Sequence, residues 1–441
     1  MGDRTYWRAW LFVMSMLAAC DVDAPPPRVD ATMEAVDAVD DVAGDDGADV
    51  SDVAREAGRD VMTDVQPMYA TEELPLRRIF VTSQGALFAT ARDGSFWAWG
   101  RNYRCGLQPC VPSQITWQVL PRPQRMPGVR GVVAVSFGPA YCALGEAGRG
   151  LGVFCWGAAA PARWRQEGEN WDDWRYPHRV GTHDDLRGLS GSEAVRSDGY
   201  RWSIRNGEPW ERFTTPLETA GRVVGIASFA DMTADGVMSA EGLDDVVDTR
   251  FHRIADPVAI AGDAFHTCVL RANGRVLCWG LNDFGGAGNY DLMEPCGAPE
   301  RPDGGFGPAL GRWCVRRPTE VPGLEDAVQV AVGESETCAR RRDGTVWCWG
   351  RNVALDDGLG SLGDGLPPGD EFCQGIVSRE PCRRRPVQVQ GLTDVVDVSY
   401  SNGKGCAIRS DGSAWCWGLR AGVFGGATTQ DSGRPLRVRW R

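Results

Sequence analysis

Short apolar runs separated by tight turns recur along most of the chain. In the clearest copy, residues 266–280, an apolar run is followed by an Asn-Gly pair and then by a second run that ends in Cys278-Trp279-Gly280. An Asn-Gly or Asp-Gly pair between two β-rich runs is the strongest short-range signal for a β-hairpin. The pattern therefore predicts an all-β fold that is built from hairpins.

This hairpin pattern is repeated. Close copies lie at 336–350 and 404–418, and weaker copies lie at 88–100, 142–157, 192–203 and 230–242. Another pair of β-rich runs precedes each clear copy, which gives about four strands per unit, the size of a propeller blade. The predicted units are seven: 74–120, 121–177, 178–213, 214–250, 251–317, 318–385 and 386–434.

An open array of hairpins would expose strand edges at both ends, and closure into a ring removes them. Residues 434–440 have the pattern of an opening strand, like residues 385–389. The first unit begins at about Leu74 without a clear opening strand. We therefore predict that the C-terminal strand completes the first blade and closes the ring.

The first residues have the pattern of an export signal. Arg4 and Arg8 precede a short apolar run, which ends in Leu17-Ala18-Ala19-Cys20 and resembles the lipobox of bacterial lipoproteins. The resemblance implies a signal peptide at 1–19, a lipid on Cys20, and a place in the bacterial cell envelope, anchored at the outer membrane on its periplasmic or surface side. The alternative is an ordinary signal peptide with a chance cysteine.

Residues 20–73 are predicted to be a disordered acidic tether. Residues 21–73 hold sixteen acidic side chains against three arginines, a net charge of −13. Like charges that repel and the lack of a hydrophobic period favour an extended chain, although a helix over 33–61 is an alternative. Residues 74–441 are formally neutral, so we expect no nucleic-acid partner.

Residues 74–441 resemble the RCC1 (regulator of chromosome condensation) repeat family. The resemblance rests on residues 262–267, on the recurring Asp/Asn-Gly followed by Trp-Gly, and on residues 279–288, which are similar to the family pattern W-G-x-N-x-x-G-Q-L-G. It implies a seven-bladed β-propeller. Most family members bind other proteins, but a fold does not by itself transfer a function.

The fifteen cysteines follow the repeat. Two hairpin positions carry cysteine together or lose it together, as a cross-strand disulfide predicts, and each eleven-residue loop would contribute about 2.8 kcal/mol. Zinc is disfavoured because the spacing lacks a partner set. The predicted pairs are Cys105–Cys110, Cys142–Cys155, Cys268–Cys278, Cys296–Cys314, Cys338–Cys348, Cys373–Cys382 and Cys406–Cys416.

Two kinds of segment are candidates for a binding surface. Long insertions at 281–317 and 351–385 follow Trp-Gly, and each contains a predicted disulfide; loops of this length are usually functional or disordered. The polar stretch around 164–176 holds a group of aromatic side chains, and aromatic residues are enriched at interfaces. The alternative is that these side chains cap the edge of the propeller or pack between blades. This group is Trp164, Trp171, Trp174 and Tyr176. The tryptophan of each Trp-Gly is instead expected to pack between blades.

Catalytic and metal chemistry find little support in the sequence. There are four histidines without close spacing, one lysine, and no nucleophile, zinc-protease or phosphate-loop motif. We expect no catalytic residue, cofactor or metal site. Asp356, Asp357 and Asp364 could ligate calcium, but they lack the EF-hand spacing, and solvated turns are the simpler interpretation.

The sequence thus predicts a monomeric, lipid-anchored envelope protein. Its disulfide-linked propeller would bind another protein or a glycan. The alternatives are a polysaccharide-active enzyme and a glycan-binding propeller. Such an enzyme would place two convergent carboxylates about 5–9.5 Å apart in a cleft, whereas a protein-binding propeller would expose an apolar patch.

Overall fold

The structure is a computed structural model, and the residues that it describes all belong to one compact unit, 65–441. The predicted signal peptide and tether lie outside the described residues. The described ranges are 74–101, 119–137, 140–157, 176–181, 183–190, 193–197, 201–203, 211–212, 223–227, 230–233, 237–240, 252–263, 265–296, 313–369, 371–374, 379–419 and 431–439.

A capped turn explains why the hairpins form. At Asp343-Gly344, the carboxylate accepts hydrogen bonds from the backbone N–H and the hydroxyl of Thr345, at 2.9 and 2.7 Å. The Trp347 indole then donates to the same hydroxyl at 3.1 Å. Gly344 has φ +81, and a Cβ there would lie 2.9 Å from the backbone N of Asp394, so the turn requires glycine. The same three bonds recur in the turns at 93–97 and 411–415.

The described residues form antiparallel sheets along the chain, which we number sheets 1 to 7. Sheet 1 holds β1–β4: Leu76–Val81, Ala86–Ala91, Ser95–Arg101 and Val119–Arg130. Sheet 2 holds β5–β8: Ala134–Phe137, Tyr141–Ala147, Gly150–Trp156 and His178–Val180. Sheet 3 holds β9–β12: Leu186–Ser190, Glu193–Arg196, Arg201–Ser203 and Glu211–Arg212. Sheet 4 holds β13–β16: Val223–Ala227, Ala230–Thr233, Val237–Ala240 and His252–Arg253.

The remaining sheets follow in chain order. Sheet 5 holds β17–β21: Pro257–Gly262, His266–Arg271, Val276–Leu281, Glu294–Pro295 and Trp313–Glu320. Sheet 6 holds β22–β26: Ala327–Val332, Glu336–Arg341, Val346–Arg351, Phe372–Gln374 and Arg379–Gln388. Sheet 7 holds β27–β30: Val395–Ser401, Lys404–Arg409, Ala414–Gly418 and Ser432–Arg437. A single 3-10 turn, Tyr290–Leu292, lies between β19 and β20.

The all-β propeller fold is confirmed, with a difference in strand number. Five sheets have four strands, as the repeat predicts. Sheets 5 and 6 instead have five, in the orders β17-β18-β19-β21-β20 and β22-β23-β24-β26-β25. The extra strands, β20 and β25, come from the two long insertions and pair with the outer strand of their own sheet. The predicted number of about four strands per unit is thus exceeded by one strand in each of these two sheets.

The predicted closure by the C-terminal strand is wrong. β30 pairs with β29 of its own sheet, with Cys416 opposite Leu436, while sheet 1 already has a fourth strand in β4. The reason is a shift of phase: the run assigned as the opening strand of each unit is the outer strand of the preceding sheet. Thus β21 pairs Glu320 with Leu277 of sheet 5. Sheets 6 and 7 therefore begin at Ala327 and Val395, and not at the predicted 318 and 386.

Sheet 7, the last of the chain, contacts sheet 1 and is joined to it by hydrogen bonds. First strands contact one another in the order β5, β9, β13, β17, β22, β27 and β1, and sheets 1 and 2 contact through β4 and β6. At the junction, Asp397 of β27 accepts a bond from the backbone N–H of Ile79 in β1 at 2.8 Å. Its other oxygen accepts from Gln329 Nε2 in β22 at 2.9 Å. One carboxylate therefore joins sheets 6, 7 and 1.

The hydrophobic core lies between adjacent sheets. One cluster joins residues of sheets 5 and 6, another joins sheets 6 and 7, and a third joins sheets 7 and 1. The tryptophans of the Trp-Gly pairs are buried, which confirms their predicted packing role. They are Trp99, Trp156, Trp279, Trp349 and Trp417.

Helices long and apolar enough to cross a membrane do not occur in the described part of the chain.

The Asp397 junction gives a stability prediction. Asp397→Asn changes the shape of the side chain very little. Its NH₂ group, however, would face either the Ile79 N–H or Gln329 Nε2, and both of these are donors. Gln329 cannot rotate to compensate, because its Oε1 already accepts from Arg340 Nε at 3.2 Å and from the Val398 N–H at 3.3 Å. We expect a loss of about 1–3 kcal/mol in the free energy of unfolding, measured by chemical denaturation. Asp394→Asn, at an exposed position three residues earlier, is the control, and an equal loss in both variants would contradict the assignment.

Candidate functional site

One end of each sheet carries the connections that differ most between repeats. The turn from the first to the second strand and the connection from the third to the fourth leave from this end, and a backbone bond joins them: Leu281 N–H donates to Phe265 O at 2.8 Å, and Arg351 N–H donates to Ser335 O at 3.1 Å. We call this end the loop face. Both long insertions leave from it.

The first insertion is a tied hairpin. It includes the 3-10 turn and β20, and Cys296 forms a disulfide with Cys314 of β21. Asn282 Oδ1 accepts from the Ala287 N–H at 2.8 Å, and the Asn289 amide donates to Glu320 O at 2.7 Å. The side chains of Asn282 and Asn289 thus fix the backbone conformation of this part of the loop.

The second insertion has the same construction. Cys373 of β25 forms a disulfide with Cys382 of β26. Arg383, also on β26, donates to Asp364 Oδ2 and to the carbonyl oxygens of Pro367 and Pro368, at 2.8, 2.9 and 2.6 Å. The Asp364 and Arg383 side chains are nearly buried, so this ion pair is only weakly screened by solvent.

The two insertions contact each other. The guanidinium of Arg384 lies over the ring of Tyr290, 4.1 Å from its centroid, and Arg385 pairs with Asp291 at 3.9 Å. Leu292 and Phe372 are the exposed large apolar residues of the 3-10 turn and of β25, at 61 and 39 % exposure. The insertions therefore form one surface, the insertion surface, with apolar side chains at its edge.

The structure has six of the seven predicted cysteine pairs as disulfides. Three repeat pairs join directly opposed residues of neighbouring strands, at Cα–Cα distances of 4.1 Å, and Cys142–Cys155 does the same. Cys105–Cys110 lies outside the described residues. The four repeat disulfides each join the two strands of one hairpin, while the two insertion disulfides join a fifth strand to its sheet.

A cluster of carboxyl groups lies in the turns of the loop face, on sheets 5 and 6. Burial raises the pKa of Asp263 to about 7, and the charges of Glu334 and Glu336 add to the effect. Burial likewise raises the pKa of Glu336 to about 7, and that of Glu334 is raised for the same reason. Lys404 and Arg351 oppose these shifts at both glutamates. The protonation of the cluster therefore changes near neutral pH.

One member of this cluster, Glu336, lies two residues before the first hairpin cysteine of its sheet. His266 and Lys404 occupy the same repeat position in sheets 5 and 7, and all three side chains are buried. The shared position was the available signal, but the proximity of the charges depends on which sheets are neighbours in space.

His266 is a neutral structural residue. The Thr337 hydroxyl donates its proton to Gly286 O at 2.9 Å, so His266 Nε2, 2.7 Å away, must be the donor in their contact. Burial lowers the pKa of His266 to about 4, which agrees with an uncharged ring. Trp349 also donates to Gly286 O, at 2.8 Å, so this network ties sheet 5 to sheet 6.

Two of the three acidic residues considered for calcium are engaged within the protein. Asp364 is held by Arg383 and accepts from the Leu366 N–H at 3.1 Å. Asp357 accepts from the backbone N–H groups of Leu359 and Gly433, at 3.0 and 2.8 Å. Within the described ranges, no group of three metal-ligating side chains converges.

The aromatic group at 164–176 is only partly described. Trp164, Trp171 and Trp174 lie outside the described residues, and Cys20 does as well. Tyr176 is half-buried, just before β8. The binding role assigned to this group stays a prediction, and the two insertions, the other candidate from the sequence, form the insertion surface.

Comparison with known proteins identifies the repeat. The regulator of chromosome condensation (RCC1) repeat family matches residues 258–285 and 327–354. Protein pim1 of Schizosaccharomyces pombe is 26 % identical over 192 residues, 41 % of this chain and 31 % of the relative. The regulator of chromosome condensation of Mus musculus is 28 % identical over 167 residues, 37 % of this chain and 31 % of the relative. The match thus spans about a third of the length of these curated relatives.

A solved structure supports the fold. Prp20p of Saccharomyces cerevisiae, described with its binding properties to Gsp1p and histones, aligns with a TM-score of 0.55 at 16 % identity. The alignment covers 82 % of this chain and 87 % of that one. At this identity, the likeness shows the propeller fold alone.

The carboxyl cluster gives a prediction about pH. The pKa of Glu336 is raised from its ordinary 4.5 to about 7, so the folded state binds the proton more tightly than the unfolded state does. Protonated Glu336 therefore contributes to the stability of the folded state. This contribution is fully present below about pH 4.5 and is lost as pH rises through 7. Glu336→Gln mimics the protonated form, and we expect it to exceed the unaltered chain in stability at pH 8 by about 1–3 kcal/mol, with no gain near pH 4.5.

Thermal and urea unfolding at the two pH values measure this difference. Glu325→Gln, at an exposed position of the β21–β22 connection, is the matched control and should be neutral at both. A gain for Glu336→Gln that is equal at both pH values would contradict the pKa assignment.

Proposed function

We propose that this chain, which is a β-propeller with two segments that match the RCC1 repeat, is a binding protein that presents the insertion surface to a protein partner. The observation that carries the proposal is the joining of two disulfide-tied insertions by the Arg384–Tyr290 and Arg385–Asp291 contacts. A surface that is ordered before binding loses less conformational entropy on association. Exposed Leu292 and Phe372 supply apolar area that a partner can cover.

We further propose that the propeller is held at the bacterial cell envelope. The lipobox-like Leu17-Ala18-Ala19-Cys20 supports a lipid on Cys20, and the charge of −13 over 21–73 supports an extended tether. Six disulfides favour an oxidising compartment such as the periplasm or the cell surface. A glycan remains the second class of ligand for such a display protein.

The carboxyl cluster lends no support to an enzyme. Glu336 is 2 % exposed, and a general acid must come within hydrogen-bond reach of the group that it protonates. The buried side chain packs near Tyr400, whose own pKa is raised by burial and by the Glu336 charge. The cluster is better explained as part of the packing between sheets.

Protein capture from envelope extracts tests the binding proposal. We expect the full chain to retain a specific protein, and the double variant Leu292→Asp/Phe372→Asp to lose at least tenfold in retention, because charges would replace the apolar edge of the insertion surface. Leu436→Asp is the control, since Leu436 is 44 % exposed on the outer strand β30 of sheet 7. Equal retention by all three chains would exclude the insertion surface.

Metabolic labelling with a radioactive fatty acid tests the anchor. We expect label on the unaltered chain in the membrane fraction, and Cys20→Ala to be unlabelled and soluble, because one thiol would carry the lipid. The control is Cys373→Ala/Cys382→Ala, which removes two other cysteines and should keep the label. Incorporation of the fatty acid into Cys20→Ala would refute the lipoprotein assignment.

A further inference from the structure

A hollow of about 450 Å³ lies along the outer strand of sheet 6. Its walls include Trp347, Leu366, Pro386, Gln388 and Gln390. The volume falls within the range of small-ligand sites, which combine apolar walls with a few polar groups. The hollow is separate from the exposed apolar edge of the insertion surface, because neither Leu292 nor Phe372 lines it.

The apolar wall is held in a single arrangement. The Trp347 indole donates to Thr345 Oγ1 at 3.1 Å, and the guanidinium of Arg341 lies 5.3 Å from its ring centroid. Leu366 is placed by the bond from its N–H to Asp364, yet its side chain is 52 % exposed. The side chains of Trp347 and Leu366 thus line the hollow and leave it open to solvent.

The polar wall is uncharged. Gln388 and Gln390 are both exposed, and each carboxamide offers two donors and one acceptor oxygen. The backbone N–H of Gln390 donates to Gly363 O at 2.9 Å, which ties this wall to the loop that carries Asp364. The one carboxylate in the lining, Asp364, is already paired with Arg383, so it does not attract a cation into the hollow.

From these features we infer that the hollow binds a neutral saccharide. Sugar hydroxyls act as both donors and acceptors, and they match the two carboxamides. The C–H face of a sugar ring is apolar and can cover Trp347 and Leu366. The inference goes beyond the proposed protein binding and does not depend on it.

Saturation-transfer NMR of the full chain tests the site, with glucose, galactose, mannose and N-acetylglucosamine as probes. We expect transfer to the ring protons of at least one sugar, with a dissociation constant in the millimolar range. Gln388→Ala/Gln390→Ala should weaken binding about tenfold, because both carboxamide contacts are lost. Gln84→Ala, in the turn between β1 and β2, is the matched control and should bind as the unaltered chain does.

The outcomes separate clearly. Absence of transfer from all four sugars up to about 20 mM, or equal binding by the Gln388→Ala/Gln390→Ala variant, would overturn the inference. Binding of an uncharged peptide to the hollow in place of sugars would overturn it as well. Both glutamines are exposed, so the variant should fold, and an unchanged melting temperature checks this. Protein capture by the insertion surface should be unaffected in this variant.

Discussion

Every sheet of the ring must bury both of its faces, and this constraint determines how the chain ends meet. The first and last sheets cannot leave a face exposed, yet no strand is exchanged between them. Apolar packing of Leu76, Ile79 and Trp99 against sheet 7 covers the faces, and Asp397 adds bonds to the backbone of β1 and to Gln329. The closure therefore depends on side chains, together with a backbone bond from the Leu76 N–H to Gly412 O at 3.0 Å.

The insertion surface depends on the same arrangement. β20 and β25 are too short to be stable alone, but each pairs with an outer strand that the ring already positions. Disulfides then hold these hairpins in place, and Arg384 and Arg385 join the second insertion to the first. A rigid scaffold beneath and covalent ties above give two long loops one arrangement, which is what a selective binding surface requires.

The hairpins and cysteine pairs could be predicted because their signals are local. An Asp-Gly turn and two cysteines at opposed positions lie within eleven residues, so the sequence shows both partners, as at Cys338 and Cys348. The phase of the repeat was wrong because a regular series of antiparallel strands does not show where one sheet stops and the next begins. The run at 385–389 fits either assignment, and only its pairing with β24 decides.

The carboxyl cluster could not be predicted for a different reason. Asp263 and Glu336 are 73 residues apart, and their raised pKa values come from burial and, to a smaller extent, from the charge of neighbouring carboxylates. The neighbouring charges are those of Glu334 and Glu336 at Asp263, and that of Glu334 at Glu336. Neither burial nor proximity is visible in a list of residue types. The two fifth strands were also hidden, because Glu294–Pro295 and Phe372–Gln374 are too short to show a strand period.

The short span of each bridge has a consequence for oxidative folding. The six disulfides join cysteines only 9 to 18 residues apart, and the entropy cost of closing a loop is lowest for near neighbours. Most of these thiols therefore meet the correct partner more often than any other thiol; Cys296 is the exception, because Cys278 and Cys314 are both 18 residues away. Under oxidising conditions, such a chain can form most of its bridges segment by segment, and few wrong pairs need to be rearranged.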